Sequence, residues 1–332
     1  MVDDGFGKKS STMHEVLESA RFVSDHSRFA RINRAALRRF AADLLQNEIR
    51  LPAWDEKYHY FDGGEKTVAY LMVLDTLNFC FWPCPGRTKW EISFGPEILN
   101  GYYALAAALK SAVQAGRPVT EPDYLSSMTL SDLKNILGGR GDLQLMAERL
   151  ANLHELGRVL GRDYGGRAAS LVEEAGRSAP RLARLLARKL VSFQDTARYG
   201  GREVFFYKRA QILVADLYAA FGGEAWGRFE DMDGLTVFAD YKLPQILRHL
   251  GILRYGTALA RKVDHRKPIE AGSPEEVEIR ANTLTAVDRI KAHLKDRDKA
   301  WKAFQLDWLL WNMGQEPALK PKPYHRTVTI FY

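Results

Sequence analysis

Cysteine is scarce in the 332-residue sequence, which contains only Cys80 and Cys84. Two cysteines exclude a small domain that is held together by several disulfides. Their CxxxC spacing differs from the CxxC of redox enzymes and zinc knuckles, and no second Cys/His pair lies nearby to complete a metal site. We therefore expect both thiols to pack in the core and the chain to hold no metal.

Long hydrophobic runs are also missing. A membrane-spanning helix needs about 20 apolar residues, and the richest apolar stretch, residues 68–82, is interrupted by Asp75 and Asn78. The first four residues read MVDD, which is acidic where a secretion signal would be basic and then apolar. We expect a cytoplasmic protein that does not bind membranes.

Common catalytic motifs are absent as well. The sequence has no GxGxxG after a strand, no P-loop, no GxSxG and no HExxH. Its eight histidines are dispersed along the chain, and a lone histidine is usually structural or exposed to solvent. The chemistry must therefore come from a less familiar arrangement of side chains.

The charge balance is basic, with a net charge of +7 and a pI of about 9.2. Such a balance suits an anionic ligand, whether nucleic acid or a single phosphate. The basic residues are scattered, however, and the densest groups are 181–189 and Arg261-Lys262. Spaced arginines of this kind usually form the solvent-facing side of a helix, so the charge is weak evidence for nucleic-acid binding.

Helical periodicity dominates the chain. It predicts helices over residues 34–46, 130–137, 143–160, 180–191, 207–221, 244–250, 275–295 and 301–311. Alternation typical of strands is confined to 89–94 and 201–206, and a β-rich tail at 327–332 should pair with another segment. We expect a mainly α fold with minor β, built as a single domain over residues 1–332 with two helical lobes.

Four isolated aspartates stand inside strongly apolar runs, at Asp75, Asp216, Asp240 and Asp307. A buried carboxylate without a partner costs several kcal/mol, so each of these must be hydrogen-bonded, ion-paired or kept for chemistry. A structural role, as a helix cap or as the partner of an arginine, is the more common one for any single residue. Four in one chain favour a pocket that at least two of them share, and the sequence does not say which two.

Aromatic residues lie within or between the same apolar segments. They are Trp82, Tyr102, Tyr103, Tyr199, Phe205, Phe206, Phe238, Tyr241, Trp308 and Trp311. A flat base held between aromatic faces, with its polar edge bound by aspartate, is the general physics of nucleobase recognition. Ordinary core packing is the alternative, and for any one ring it is favoured.

Six strings, in this order and with this spacing, resemble the queuosine salvage proteins, a family of queuosine 5′-phosphate N-glycosylases. They are DTLNFCFW (75–82), GYYAL (101–105), YKRAQIL (207–213), FADYKLPQ (238–245), EVEIR (276–280) and PYHR (323–326). The resemblance extends from about Arg21 to Tyr332. It implies a helical fold that looks like the helix-hairpin-helix DNA glycosylases. The segment 243–251 is compatible with that motif, although it lacks the usual Gly-x-Gly hairpin.

The reaction implied by the resemblance is the replacement of a deazaguanine base by water at C1′ of ribose 5-phosphate, which frees queuine for salvage in tRNA modification. The transition state is oxocarbenium-like and needs a carboxylate near C1′. A 7-deaza base has no N7 to protonate, so help to the leaving group must come through other polar atoms of the ring. The mechanism needs no metal and no cofactor.

The matching motifs imply Asp240 and Asp307 as the leading catalytic pair, one near C1′ and one on the base. The resemblance does not divide these two roles between them. Asp231, in the stretch FEDMDG, is the third candidate acid and suits either role.

The resemblance also implies four substrate-binding residues. Phe238 should stack on the base, while His59 and Trp311 should close the pocket walls. Lys208 is the candidate for the 5′-phosphate, with a salt bridge to Asp216 as its alternative.

Two other functions compete with hydrolysis of a nucleotide. A DNA or tRNA base glycosylase would need a continuous basic face and would bind with strong salt dependence. A non-catalytic deazapurine-binding protein would need the same pocket without a carboxylate near C1′. We expect a monomer whose partners are queuosine 5′-phosphate and queuine, without stable binding of nucleic acid.

Overall fold

The computed structural model describes residues 12–47, 54–295, 301–316 and 322–332. Within these ranges the chain is mainly helical, as predicted, with three small antiparallel sheets. The helices are α1 (His14–His26), α2 (Arg34–Gln46), α3 (Glu65–Leu77), α4 (Gly101–Gln114), α5 (Pro122–Ser127), α6 (Leu130–Leu137), α7 (Met146–Tyr164), α8 (Ala168–Glu174), α9 (Ala179–Lys189), α10 (Lys208–Ala220), α11 (Lys242–His249), α12 (Thr257–Asp264), α13 (Pro274–Lys295) and α14 (Ala303–Met313).

Each sheet has two strands. The pairs are β1 (Ala30–Ile32) with β6 (Leu253–Tyr255), β2 (Glu91–Phe94) with β3 (Glu97–Asn100), and β4 (Thr196–Tyr199) with β5 (Arg202–Phe205). The predicted strands at 89–94 and 201–206 are thus confirmed as β2 and β5. Their alternating pattern was readable because one face of each strand packs on the helices and the other faces solvent.

The core is organised around α13, which contacts α1, α2, α11 and α14. Its residues are buried over most of its length, including Glu276, Glu278 and Arg280. One continuous cluster of buried apolar side chains runs from Met13 to Leu310.

Side-chain caps at their N-termini explain why two of the predicted helices begin where expected. The Asn33 side chain accepts a hydrogen bond from the Ala36 backbone N–H at the start of α2, and Thr129 and Asp132 form a reciprocal capping box at the start of α6. The predicted ranges 34–46 and 130–137 match these helices residue for residue.

Two helices near the cavity are missing from the predicted set. In α3, every residue from Tyr70 to Leu77 is buried, and α4 is buried along most of its length. A helix surrounded by protein has no polar face, so its sequence lacks the amphipathic stripe by which the other helices were identified.

The predicted β-rich tail at 327–332 forms no strand in the described part of the chain, so this prediction was wrong. Isolated backbone contacts hold its two ends. Arg326, just before the segment, forms an isolated β-bridge with Pro268, and the Cys80 backbone N–H donates to the Tyr332 carbonyl at 3.0 Å. Tyr332 is buried with Phe79 and Trp82, so the apolar residues of the tail pack on the core instead of forming a ladder.

No helix among the described residues is both long and apolar enough to span a bilayer.

Candidate active site

A cavity of about 220 Å³ opens between α4, α10 and α14. Its walls come from segments that are far apart in sequence, mainly residues 78–81, 100–103, 208–219, 238–242 and 307–315. Side chains of both polar and aromatic type line it, as expected of a site for a flat polar ligand.

The structure brings six of the seven candidate residues to this one cavity: His59, Lys208, Phe238, Asp240, Asp307 and Trp311.

Asp231 does not line the cavity. Its Oδ1 accepts a hydrogen bond from the Ala179 backbone N–H, and its Oδ2 accepts one from the Ser178 hydroxyl, both at 2.6 Å. Asp231 therefore holds the first turn of α9, where a carboxylate satisfies free N–H groups. This placement corrects the expectation that Asp231 serves as a third acid in the pocket.

Asp240 is anchored at the start of α11. Its Oδ1 accepts hydrogen bonds from the backbone N–H groups of Lys242 at 2.7 Å and Leu243 at 2.9 Å. Its Oδ2 accepts no hydrogen bond from any described residue. Burial raises the pKa of Asp240, while the Lys208 ammonium and the two N–H groups act in the opposite direction. The carboxyl group is thus fixed in orientation with one oxygen left for a ligand.

Asp307 has a similar arrangement on α14. Its Oδ1 accepts a hydrogen bond from the Phe238 backbone N–H at 2.7 Å, and Oδ2 has no partner among the described residues. Burial and the nearby Asp240 raise the pKa of Asp307 well above its usual value. Since burial and a like charge both disfavour ionisation, Asp240 is the better placed of the two to carry a negative charge.

Lys208 begins α10 and is buried under the cavity. The Asp195 carboxylate accepts from its backbone N–H at 3.1 Å, and its ammonium donates to the Asn78 carbonyl at 3.3 Å. Burial lowers the pKa of Lys208, and the charges of Asp240, Asp75 and Asp307 oppose that change. Lys208 therefore provides a cation among the acids of the site.

His59, Tyr102 and Asp216 lie in a row along one wall. The Nδ1 of His59 lies 2.7 Å from the Asp55 carbonyl, and its Nε2 lies 2.9 Å from the Tyr102 Oη. The Tyr102 Oη is 3.1 Å from the Asp216 Oδ2. Burial lowers the pKa of His59 to about 4 and raises that of Asp216 well above its usual value, so both groups favour their neutral forms.

Asp75 does not line the cavity but lies behind it in α3. Its Oδ1 accepts from the Asn78 amide at 3.1 Å, and its Oδ2 is buried without a partner among the described residues. Burial raises the pKa of Asp75, and its charge in turn raises that of Asp216.

Aromatic rings form the remaining walls. Phe238 is buried beside Asp240, and Trp311 meets the rings of Tyr102 and Tyr103 edge to face at 6.3 and 5.7 Å between centroids. Trp308 on the same helix as Trp311 also faces the cavity. These rings give the cavity flat apolar walls, against which a planar base can pack.

Two further lysines line the cavity, Lys89 and Lys242, and sequence reasoning did not select them. The Lys89 ammonium donates to the Asn100 side chain, and the Lys242 ammonium lies 5.5 Å from the centroid of the Tyr324 ring. Burial and the charge of Lys242 both lower the pKa of Lys89, so the two cations are near enough to repel each other. Lys242 and Tyr324 each lie inside one of the six matching strings, so their membership in the site could have been suspected.

No group of three or more His, Cys, Asp or Glu side chains in the described part of the chain is arranged to hold a metal ion. Cys80 is buried, as expected, while Cys84 is only half-buried and its Sγ donates to the Gln144 side chain at 3.3 Å.

The fold and the cavity together define a helical protein with an acid-containing aromatic pocket. The family model described as "Queuosine salvage protein" matches residues 58–332. The chain belongs to this family.

Relatives with the name queuosine 5′-phosphate N-glycosylase/hydrolase are similar over nearly the whole chain. The protein of Sphaerobacter thermophilus is 44% identical over 317 residues, which cover 96% of this chain and 97% of the relative. The Bos taurus protein is 34% identical over 95% of this chain and 98% of its own, and the Schizosaccharomyces pombe protein is 31% identical over 96% and 97%. The chain therefore spans the full extent of these bacterial and eukaryotic relatives.

Proposed function

We propose that this protein hydrolyses the N-glycosidic bond of queuosine 5′-phosphate to give queuine and ribose 5-phosphate. The observation that carries the proposal is the pair Asp240 and Asp307. Each is buried in one aromatic cavity, with one oxygen held by backbone N–H and the other without a partner among the described residues. Membership of the family and the activity for which the relatives are named support the same reaction.

Asp240 is assigned to C1′ in this proposal. In a nucleotide C1′ lies between the 5′-phosphate and the base, and Asp240 is close to both Lys242 and Asp307, since its charge acts on both. Its free oxygen can stabilise the oxocarbenium-like sugar and accept the proton of the attacking water. The C1′–N9 bond breaks with its electron pair going to the base, which takes up a proton at N9 from solvent, while Asp240 releases to solvent the proton that it accepted from water.

Asp307 is assigned to the base. Its Oδ1 accepts a hydrogen bond from the Phe238 backbone N–H. This bond fixes the position of the Phe238 ring, which packs on the base, relative to the Asp307 carboxyl group, which binds the polar edge of the base. Trp311 and His59 form walls of the cavity around the base.

The 5′-phosphate is assigned to Lys89 and Lys242, which replaces the expectation for Lys208. Lys208 is buried among Asp75, Asp240 and Asp307, where a phosphate dianion would meet three carboxyl groups. Lys89 and Lys242 instead both line the cavity and repel each other, so an anion bound near both would relieve that repulsion. Lys208 is then the counter-charge that keeps Asp240 ionised.

We also propose that the chain forms one domain over residues 1–332 with two helical lobes. The largest cluster of buried apolar side chains, which runs from Met13 to Leu310, supports a single domain. The helix α11, the turn at Gly251 and α12 are compatible with a helix-hairpin-helix DNA glycosylase-like scaffold. We further propose a cytoplasmic monomer that acts on a free nucleotide and forms no stable complex with nucleic acid.

The test is incubation of the purified protein with queuosine 5′-phosphate, with guanosine 5′-phosphate alongside, and detection of the free bases by liquid chromatography. Release of queuine without guanine is the expected result. Binding without release would leave a deazapurine carrier. Release only from tRNA or DNA, with steep salt dependence, would identify a polymer glycosylase.

A further inference from the structure

A hydrogen-bonded row of three side chains determines the charge of one acid in the cavity. It runs from the Asp55 carbonyl through His59 and Tyr102 to the Asp216 Oδ2, with heavy-atom distances of 2.7, 2.9 and 3.1 Å. Each contact needs one hydrogen, and the first partner in the row is a carbonyl oxygen, which can only accept.

The direction of each hydrogen bond follows from that carbonyl. His59 must donate from Nδ1, and a neutral imidazole has no second hydrogen, so its Nε2 accepts. The Tyr102 hydroxyl hydrogen therefore points to His59. The hydrogen between Tyr102 and Asp216 must then belong to Asp216, which is a carboxylic acid in this arrangement.

The alternative row contains an imidazolium and a carboxylate with the same number of protons. It separates two charges inside the protein, where His59 is only 3% exposed and packs on the rings of Trp54 and Tyr102 at 4.2 and 5.5 Å between centroids. Asp75 and Asp307 disfavour a negative charge on Asp216, whereas the Lys208 ammonium and the Tyr102 hydroxyl, which donates to Asp216 in this alternative row, favour it. Burial acts against both ions, which supports the neutral row.

We infer that His59 and Tyr102 hold Asp216 as a neutral carboxylic acid whose other oxygen, Oδ1, binds an N–H group of the base. This inference rests on the proposed function. Asp216 lines the cavity, and its Oδ1 has no partner among the described residues. A neutral C=O acceptor suits the ring N–H and exocyclic amine of a 7-deazaguanine, which carry no charge.

The neutral state also explains how the reactive acid stays ionised. Asp75, Asp216, Asp240 and Asp307 all interact with the Lys208 ammonium, and Lys242 is a second cation close to Asp240. If all four acids were ionised, their mutual repulsion would oppose the charge on each of them. A neutral Asp216 removes one of these competing negative charges, so Lys208 and Lys242 can keep Asp240 ionised while Asp216 itself binds the base.

The first test compares two substitutions at the same position. Asn reproduces a protonated Asp, since its NH₂ can donate to Tyr102 while its C=O faces the base. We expect Asp216→Ala to raise the KM for queuosine 5′-phosphate about 10- to 100-fold through the lost hydrogen bond, and Asp216→Asn to restore it to within about fivefold of wild type. Calorimetry with queuine should show the same order of affinities. An Asn variant as defective as the Ala variant would mean that the charge of Asp216 is needed, and the inference would fail.

The second test uses no substrate and so does not depend on the proposed function. The infrared spectrum of the free protein at neutral pH should contain a C=O stretch of a protonated carboxylic acid that disappears in Asp216→Asn. Tyr102→Phe removes the acceptor of that proton and should shift the same band, which provides an assignment even if the Asn variant does not fold. An identical carboxylic acid region in wild type and both variants would overturn the inference. If wild type shows the band but releases no queuine, the proposed function fails while the protonation stands.

Discussion

The Asp307 Oδ1 accepts a hydrogen bond from the Phe238 backbone N–H at 2.7 Å. This contact joins α14 to the segment before α11, which lies 69 residues earlier in the chain. The acid and the aromatic ring assigned to the base therefore keep a constant relative position, as a preorganised binding site requires.

The Phe238 contact makes Asp307→Asn an informative change, because the amide oxygen of Asn can still accept from the same N–H. Burial raises the pKa of Asp307 in the folded chain well above its value in the unfolded chain. At a pH between these two pKa values the folded state keeps a proton that the unfolded state has lost, so the free energy of unfolding falls as the pH rises through this range. We expect Asp307→Asn to melt above wild type, by a margin that grows as the pH rises above the ordinary aspartate pKa of 3.8. Calorimetric melting temperatures across this range test it. Parallel curves for the two proteins would contradict the raised pKa.

Asp240→Asn should abolish most of the turnover while leaving queuine binding nearly intact. The amide cannot accept the proton of water or stabilise a positive sugar, and loss of such a group lowers kcat by about 10²–10⁴-fold. Single-turnover release of queuine measures this, and calorimetry measures the binding. The matched control is Asp231→Asn, which keeps a capping oxygen outside the cavity. Equal losses in both variants would remove Asp240 from the reaction.

Asp231→Ala should affect stability rather than catalysis. It removes the acceptor for the Ala179 N–H and the Ser178 hydroxyl at the start of α9, and the loss of a helix cap costs about 0.5–2 kcal/mol. Urea unfolding measures the free energy, and kcat for queuine release should be unchanged. A large fall in kcat without a loss of stability would return Asp231 to the list of catalytic acids.

Lys242→Ala and Lys89→Ala should weaken the binding of the nucleotide but not of the nucleoside. Each loses a charge-assisted hydrogen bond to phosphate, which corresponds to an increase of about 10- to 100-fold in the KM for queuosine 5′-phosphate. The KM for queuosine itself should change little, and inorganic phosphate should inhibit wild type more strongly than either variant. An equal effect on both substrates would place the phosphate elsewhere, and Lys208→Ala would then be the next variant.

Activity should fall on the acid side at a higher pH than an ordinary aspartate allows. Burial raises the pKa of Asp240 above its usual 3.8, so the carboxylate is lost as the pH falls through that raised value. The acid limb of kcat/KM for queuosine 5′-phosphate reports this pKa in the free enzyme. A limb at or below the ordinary value would show that Lys208 and the N–H groups of α11 outweigh burial.

The sequence identified the acids of the site because burial of a carboxylate is costly wherever it occurs. Three of the four aspartates in apolar runs, Asp216, Asp240 and Asp307, do line one cavity, and the fourth, Asp75, lies behind it. Asp231 misled because it stands in an acidic stretch, where sequence cannot distinguish a helix cap from an acid that faces a pocket.

Contacts between distant residues were beyond sequence reasoning. The approach of His59 to Tyr102, and of Tyr102 to Asp216, spans 43 and 114 residues, and no local pattern records it. The mutual position of Lys89 and Lys242 is hidden for the same reason. Local patterns specify helix ends and strands, whereas the distances that set charge and protonation depend on how the helices pack.

The wide separation of the segments that build the cavity has a consequence for folding. Asp240 becomes unusually basic only when α10 and α14 have closed over it, and Asp307 obtains its N–H partner only from another part of the chain. A partly folded chain would carry ordinary solvated aspartates, with no reactive oxygen aimed at a sugar. After dilution from denaturant, activity should therefore return more slowly than helical content. The return of activity reports completion of the tertiary structure, not formation of the helices.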